Sequence, residues 1–246
     1  MIKLRTDLHI HTVLSACADL EMSPVNIVNA AKDKKIDLIA VTDHNSTLHC
    51  SLVKELAEKK GLSVICGVEV TTREEVHCLA YFENLAVLEM FQNYLDKNLP
   101  WYSYLPEKFG YQLLLDREER IVQMVENYLN VALSVSIDQV EQEVHRLGGL
   151  FVPAHIERPV YGIFKQLGFI PGSLSCDGLG IMHRSIEAEI RSRFRLDANM
   201  ALIKASDAHS LEDIGSGCTW FELNEPSFDE LKKALRGIDG RKTTIE

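Results

Sequence analysis

IDLIAVTDH (Ile36–His44) is the stretch on which the fold turns. Ile36–Thr42 is a short apolar run rich in β-formers, the pattern of a strand buried on both faces of a parallel sheet. Asp43 and His44 follow it at once, so residues able to bind metal stand where an apolar strand ends.

The same arrangement recurs on both sides of that stretch. Asp7, His9 and His11 close the strand-like run Ile2–His11. Glu69 follows SVICGV within Leu62–Thr71, and His77 opens the run Val76–Phe82. His155 follows Leu150–Pro153, and Asp207 and His209 follow Met200–Ala205. Further strands are expected at Gly178–Met182 and Cys218–Leu223. Helices are expected from Ser23-Pro24 to about Lys34, over Ser46–Lys60 up to Gly61, and near Phe228–Arg236. Alternating strands and helices of this kind make an α/β protein. In a parallel barrel the C-terminal strand ends share one face, where active sites are built.

Residues 83–148 differ in character and read as a mostly helical, cap-like insertion between the barrel parts 1–82 and 149–246. The insertion carries an aromatic segment, WYSYLPEKFGY (Trp101–Tyr111), whose rings are expected in the core of a small subdomain, with stacking on a nucleobase as the alternative.

Spacing supports metal chemistry. In DLHIH the two histidines are two residues apart and share one side of an extended chain, and Asp207 and His209 repeat that spacing. Imidazole with carboxylate suits zinc, manganese or iron, and two or three such divalent ions can activate water and stabilise a leaving oxygen. Asp7 and Asp43 precede histidines and are expected to orient imidazoles, with direct metal ligation as the alternative for both and a place near the nucleophilic water as a further one for Asp43. His49, His145 and His183 lack a strand-end context.

Composition narrows the function. Acidic residues number 36 against 26 basic, for a formal charge of −10, so a broad nucleic-acid-binding surface is not expected. The six cysteines form no CxxC pair, and they read as reduced and buried with Cys17 as the exception. No apolar run is long enough to span a bilayer and no leader is evident, so a cytoplasmic monomer without membrane association is expected.

DLHIHT, VTDH, GVE, PAH and SDAH, in this order, resemble the motifs of the PHP (polymerase and histidinol phosphatase) domain, and the chain looks most like free-standing PHP phosphoesterases, a group that includes nucleoside 3′,5′-bisphosphate phosphatases and small 5′-3′ exonucleases. The resemblance implies a distorted (β/α)7 barrel with up to three metals. His9, His11, Glu69 and Asp207 would hold one, Glu69, His77 and His155 a second, and His44 and His209 a third. The loop SACADLEMSP departs from the family pattern, so the last ligand is expected to be Asp19, with Cys17 and Glu21 as competitors. Glu69, Asp207, His209 and Asp43 are the expected catalytic residues, and Arg158 and Arg184 the expected contacts to a substrate phosphate. The expected partner is a small phosphorylated substrate such as a nucleotide, or the terminal nucleotide of a short oligonucleotide, hydrolysed by a water activated on the metals. A histidinol-phosphate-type phosphatase, an amidohydrolase and an inert metal-containing binding module are the alternatives.

Overall fold

The computed structural model describes residues 1–246. The strands are β1 (Ile2–Ile10), β2 (Leu38–Val41), β3 (Ser63–Thr71), β4 (His77–Phe82), β5 (Leu113–Leu115), β6 (Ile121–Met124), β7 (Leu150–Pro153), β8 (Leu179–Ile181), β9 (Leu202–Lys204), β10 (Thr219–Leu223) and β11 (Lys242–Ile245). The helices are α1 (Pro24–Asp33), α2 (Cys50–Glu58), α3 (Leu85–Asn98), α4 (Pro106–Phe109), α5 (Ile137–Arg146), α6 (Ile163–Gln166), α7 (Glu187–Phe194) and α8 (Phe228–Leu235).

Seven strands form one curled sheet in the order β11-β10-β1-β2-β3-β4-β7. The parallel pair β8–β9 stands on its open side, tied to the β7 end by the Ile156 N–H, which donates to the Gly180 carbonyl at 2.9 Å. The expected α/β barrel is therefore present as a distorted barrel, and its sheet is mixed rather than all parallel. β1–β2 and β2–β3 run parallel, whereas β3–β4 and β4–β7 are antiparallel. Two reversals return β7 to the direction of β3, so Pro153 ends on the same face as Thr71. The single reversal at β4 places its first residue there instead, with His77 opposite Thr71. That is why a histidine that opens a strand can join histidines that close strands.

Local chemistry explains the boundaries. The Ser23 hydroxyl caps α1 by accepting the Asn26 N–H at 3.2 Å, with Pro24 in the first turn. Ser136 and Gln139 form a reciprocal capping box at the start of α5. Inside the barrel, Leu8, Leu38, Ala40, Leu79, Val152, Ile203 and Phe221 form one apolar cluster. A second cluster packs Ile27, Val28 and Ala31 of α1 and Val53 and Ala57 of α2 against Ile10, Ile39 and Val41.

The segment between β4 and β7 is less helical than its sequence suggests. It consists of α3, the single-turn α4, a β5–β6 hairpin and α5. The Asp116 carboxylate makes the hairpin turn, accepting the N–H groups of Glu118 (3.0 Å) and Arg120 (2.9 Å). The aromatic segment is not a subdomain core, for Trp101 is 68% exposed and Tyr102 60%, with Phe109 and Tyr111 also exposed. No helix is long and apolar enough to cross a membrane.

Candidate metal centre

Five buried histidines, His9, His11, His44, His77 and His155, converge on the buried carboxylate of Glu69. Glu69 Oε2 lies 3.3 Å from both His9 Nε2 and His11 Nε2 and 3.2 Å from His44 Nδ1. Oε1 faces the other way, 3.0 Å from His77 Nδ1 and 3.1 Å from His155 Nε2. Asp207 Oδ1 completes one side at 3.3 Å from both His9 Nε2 and His11 Nε2.

Three overlapping sets have ligand atoms within 4.8 Å of one another: His9, His11, Glu69 and Asp207; His44, Glu69 and His77; and His11, His44 and His209. The first matches the expected grouping. The second contains His44 where His155 was expected, although His155 reaches the same Glu69 oxygen.

Electrostatics favour a cation here. Burial pushes the Glu69 carboxyl up, but His77, His9 and His44 outweigh it and hold it well below the usual carboxylate range. Asp207 is likewise pushed up by burial and pulled down further by His9 and His11. Burial alone would lower the His11 imidazolium, yet hydrogen bonds to Asp207 and Glu69 raise it well above its ordinary value. The two carboxylates thus favour positive charge between His9 and His11. Burial, with His11 next, brings His44 down to about 4, and burial brings His77 to about 4 against the pull of Glu69. Both are therefore neutral near pH 7 and free to serve as ligands. The Nδ1 atoms of His44, His77 and His155 are buried without a hydrogen-bond partner. Orphaned imidazole nitrogens beside carboxylates are a donor set that fits divalent metal.

Hydrogen bonds select the ligating nitrogens. Ser15 Oγ donates to Asp43 Oδ1 at 2.7 Å and accepts from His11 Nδ1 at 3.2 Å, which leaves His11 Nε2 with its lone pair toward the cluster. His209 Nδ1 donates to the Asp207 carbonyl at 2.7 Å, with the same consequence. Backbone strain adds to the picture. Asn45, His155, Tyr161 and Asp207 all have positive φ (47°, 28°, 64° and 53°) and surround the cluster.

Other expected residues are placed differently. The Asp43 carboxylate accepts from Thr12 N (2.7 Å), Thr12 Oγ1 (2.8 Å) and Ser15 Oγ, so it organises the β1–α1 loop and holds no imidazole directly. Asp7 accepts the N–H groups of Ser206 (3.0 Å) and Gly215 (2.8 Å) and fixes the strand end before Asp207. Asp19 belongs to none of the three sets. Its side chain is exposed, and its N–H donates to the His209 carbonyl at 2.8 Å. Cys17 is the loop residue that faces His209. Arg158 lines the pocket and reaches Asp207 Oδ2 at 3.0 Å, whereas Arg184 is exposed and its Nε donates to His183 at 3.0 Å.

Three residues escaped the sequence reading. Tyr161 stacks on His77 with ring centres 4.2 Å apart and a 7° interplanar angle. His183 lines the pocket beside His9 and Arg158, and Asn130, from the insertion, lines it on the Cys17 side. No motif marks them, because their positions depend on loop conformation. His49 is structural. It accepts the Leu115 N–H at Nε2 (3.0 Å) and donates from Nδ1 to Thr12 Oγ1 (2.6 Å), tying the hairpin to the metal-site loop. His145 lies far from the site between Glu141 and Asp177.

The sequence profile of the PHP domain matches residues 7–166, and a PHP-associated profile matches residues 193–237. The chain belongs to the PHP family. This PHP chain is 24% identical to the uncharacterized protein YqxK of Bacillus subtilis (strain 168) over 276 residues, covering 98% of this chain and 64% of that protein. Its fold is similar to the lesion-specific endonuclease Q of Pyrococcus furiosus, with a TM-score of 0.74 and 22% identity over 98% of this chain and 58% of that one. A second endonuclease Q structure, TM-score 0.71, 22% identity and the same coverage, holds a 27-mer duplex with an abasic lesion at the active site. This PHP chain therefore spans less than two thirds of the length of these relatives. The duplex complex corrects the expectation of a small phosphorylated partner and no broad nucleic-acid-binding surface, because a protein of similar fold presents its site to DNA. Net charge does not exclude such a partner, because it averages over the whole surface, whereas a strand at a metal centre meets local cations. Family and site together support a metal-dependent hydrolase.

Proposed function

We propose that this chain hydrolyses phosphodiester bonds in nucleic acid, with DNA strands as the substrate class. The observation that carries the reading is Glu69, whose two carboxylate oxygens each face a different group of buried imidazoles. Divalent metal held by His9, His11, Glu69 and Asp207, and by Glu69, His77 and His155, would supply Lewis acidity and an activated water.

The chain's own residues do the rest. Ser15 and Asp43 hold His11 in its ligating tautomer. Arg158, 38% exposed at its side chain and on the pocket wall, provides a guanidinium for a non-bridging phosphate oxygen. Tyr161 and Asn130 line the same opening. The exposed aromatics of Trp101–Tyr111 sit on a segment that packs against the metal-site loop through Gly110 and Ala16, where they suit unpaired bases, each stack being worth about 1–3 kcal/mol.

The test is cleavage of end-labelled single-stranded DNA, intact duplex and duplex with one abasic site by the manganese- or zinc-supplied protein, with a nucleoside 3′,5′-bisphosphate alongside. Metal-dependent strand cleavage that is lost in Glu69→Gln is expected. Turnover of the bisphosphate alone, or no cleavage of any DNA with metal shown to be bound, overturns the nucleic-acid reading.

A further inference from the structure

Cys17 lies in the β1–α1 loop with its Sγ 3.1 Å from His209 Nε2 and 3.4 Å from Asn130 Nδ2. His209 Nε2 carries a lone pair, because Nδ1 donates to the Asp207 carbonyl. The neighbouring His44 is 95% buried (relative exposure 5%) and lines the same pocket as Cys17 and His209, and its Nδ1, which faces Glu69 Oε2 at 3.2 Å, makes no hydrogen bond. His11, His44 and His209 bring three ligand atoms within 4.8 Å of one another, but no carboxylate from the loop joins them. Neither Asp19 nor Glu21 lines that pocket.

The sulfur is placed to fill the gap. A zinc–sulfur bond of about 2.3 Å and a zinc–nitrogen bond of about 2.0 Å meeting at the tetrahedral angle put sulfur and nitrogen about 3.5 Å apart. The Cys17–His209 separation of 3.1 Å is close to that distance, so a small side-chain adjustment admits the ion between them.

We propose that Cys17 is a thiolate ligand of the third metal position, together with His44 and His209. The other two positions offer only nitrogen and oxygen, so a thiolate makes this one softer and biases it toward zinc over manganese. The active face is then built for unlike metals, with one thiolate-held zinc beside ions in His/carboxylate sites. The inference rests on the metal-centre reading above, and its test separates the two.

The experiment loads metal-free protein with cobalt(II) as a spectroscopic probe and with zinc for stoichiometry, in wild type, Cys17→Ser and Cys17→Asp. The expected result is a thiolate-to-cobalt charge-transfer absorption in the near ultraviolet in wild type only. Cys17→Ser is expected to lose one equivalent of zinc at limiting free metal, and Cys17→Asp to regain the equivalent without the absorption. Alkylation by iodoacetamide, mapped by mass spectrometry, gives a second readout. Cys17 is the exposed cysteine of the six, so it is expected to react in metal-free protein and to be protected by zinc. Wild type that binds metal with no cobalt–thiolate absorption and an unprotected Cys17 overturns this inference and leaves the hydrolase reading standing. Wild type that binds no divalent metal overturns both.

Discussion

Arg158 Nη1 lies 3.0 Å from Asp207 Oδ2, while the other oxygen of that carboxylate faces His9 and His11 at 3.3 Å. One carboxylate thus joins a cationic side chain to the metal cluster. Arg158 is positioned to turn from Asp207 to an arriving phosphate without leaving the pocket.

Arg158→Ala is therefore expected to raise KM for the cleaved strand by about 10- to 100-fold, the equivalent of one charge-assisted hydrogen bond. Metal stoichiometry should stay unchanged, since Asp207 Oδ1 keeps its imidazole partners. Steady-state kinetics with metal analysis checks this. A loss of metal with KM unaltered would show that the arginine serves only to hold Asp207.

Ser15→Ala removes the hydroxyl between Asp43 and His11. It leaves His11 free to present the wrong tautomer. Metal affinity is expected to fall about 10- to 100-fold, as for other groups that orient ligating histidines. Titration with a competing chelator measures it. Ser15→Thr, which restores a hydroxyl, should recover part of the loss.

Stability of the metal-free protein should peak near roughly pH 6.5, the ordinary imidazole value. Burial holds His44 and His77 at about 4, so between about 4 and 6.5 the unfolded chain binds more protons and stability falls as the pH drops. His11 is raised well above 6.5 by Asp207 and Glu69 despite burial, so its contribution is present below 6.5 and lost as the pH rises through its folded value. Thermal melts in chelator at pH 4.5, 6.5 and 9 should show the maximum in the middle. Added metal should flatten the alkaline side, where it takes the place of the His11 proton. A Tm that rises steadily with pH in chelator would contradict this.

Gly110→Ala should loosen the insertion from the metal-site loop. Gly110 has φ +95°, and an added Cβ would fall 1.8 Å from the Ala16 carbonyl oxygen. Strain and overlap of this kind cost about 1–3 kcal/mol, or roughly 2–12 °C in Tm for a chain of this size. Faster proteolytic cleavage within 101–131, at an unchanged number of bound metals, would locate the damage in the insertion.

The α/β class, most barrel strands and the clustering of eight of the nine candidate metal ligands were legible because they depend on local pattern. A buried strand needs an apolar run, and a ligand that closes it needs only the next residue or two, as in IDLIAVTDH or SDAH. The convergence of His9, His11, His44, Glu69, His77, His155, Asp207 and His209 follows from strand ends that share one face. Loop geometry has no such code. That Cys17 and not Asp19 faces His209 depends on how the β1–α1 loop folds back to His209, through the Asp19 N–H and the Asp43 hydrogen bonds. The Trp101–Tyr111 rings are exposed because their segment lies across a loop instead of closing a core of its own, a distinction that aromatic content does not encode. The sequence alone thus determined which side chains could bind metal and on which strands they ride. Only the tertiary structure decided their partners, because loop hydrogen bonds and antiparallel reversals, such as the one that carries His77 to the site, are settled by contacts between residues distant in the chain.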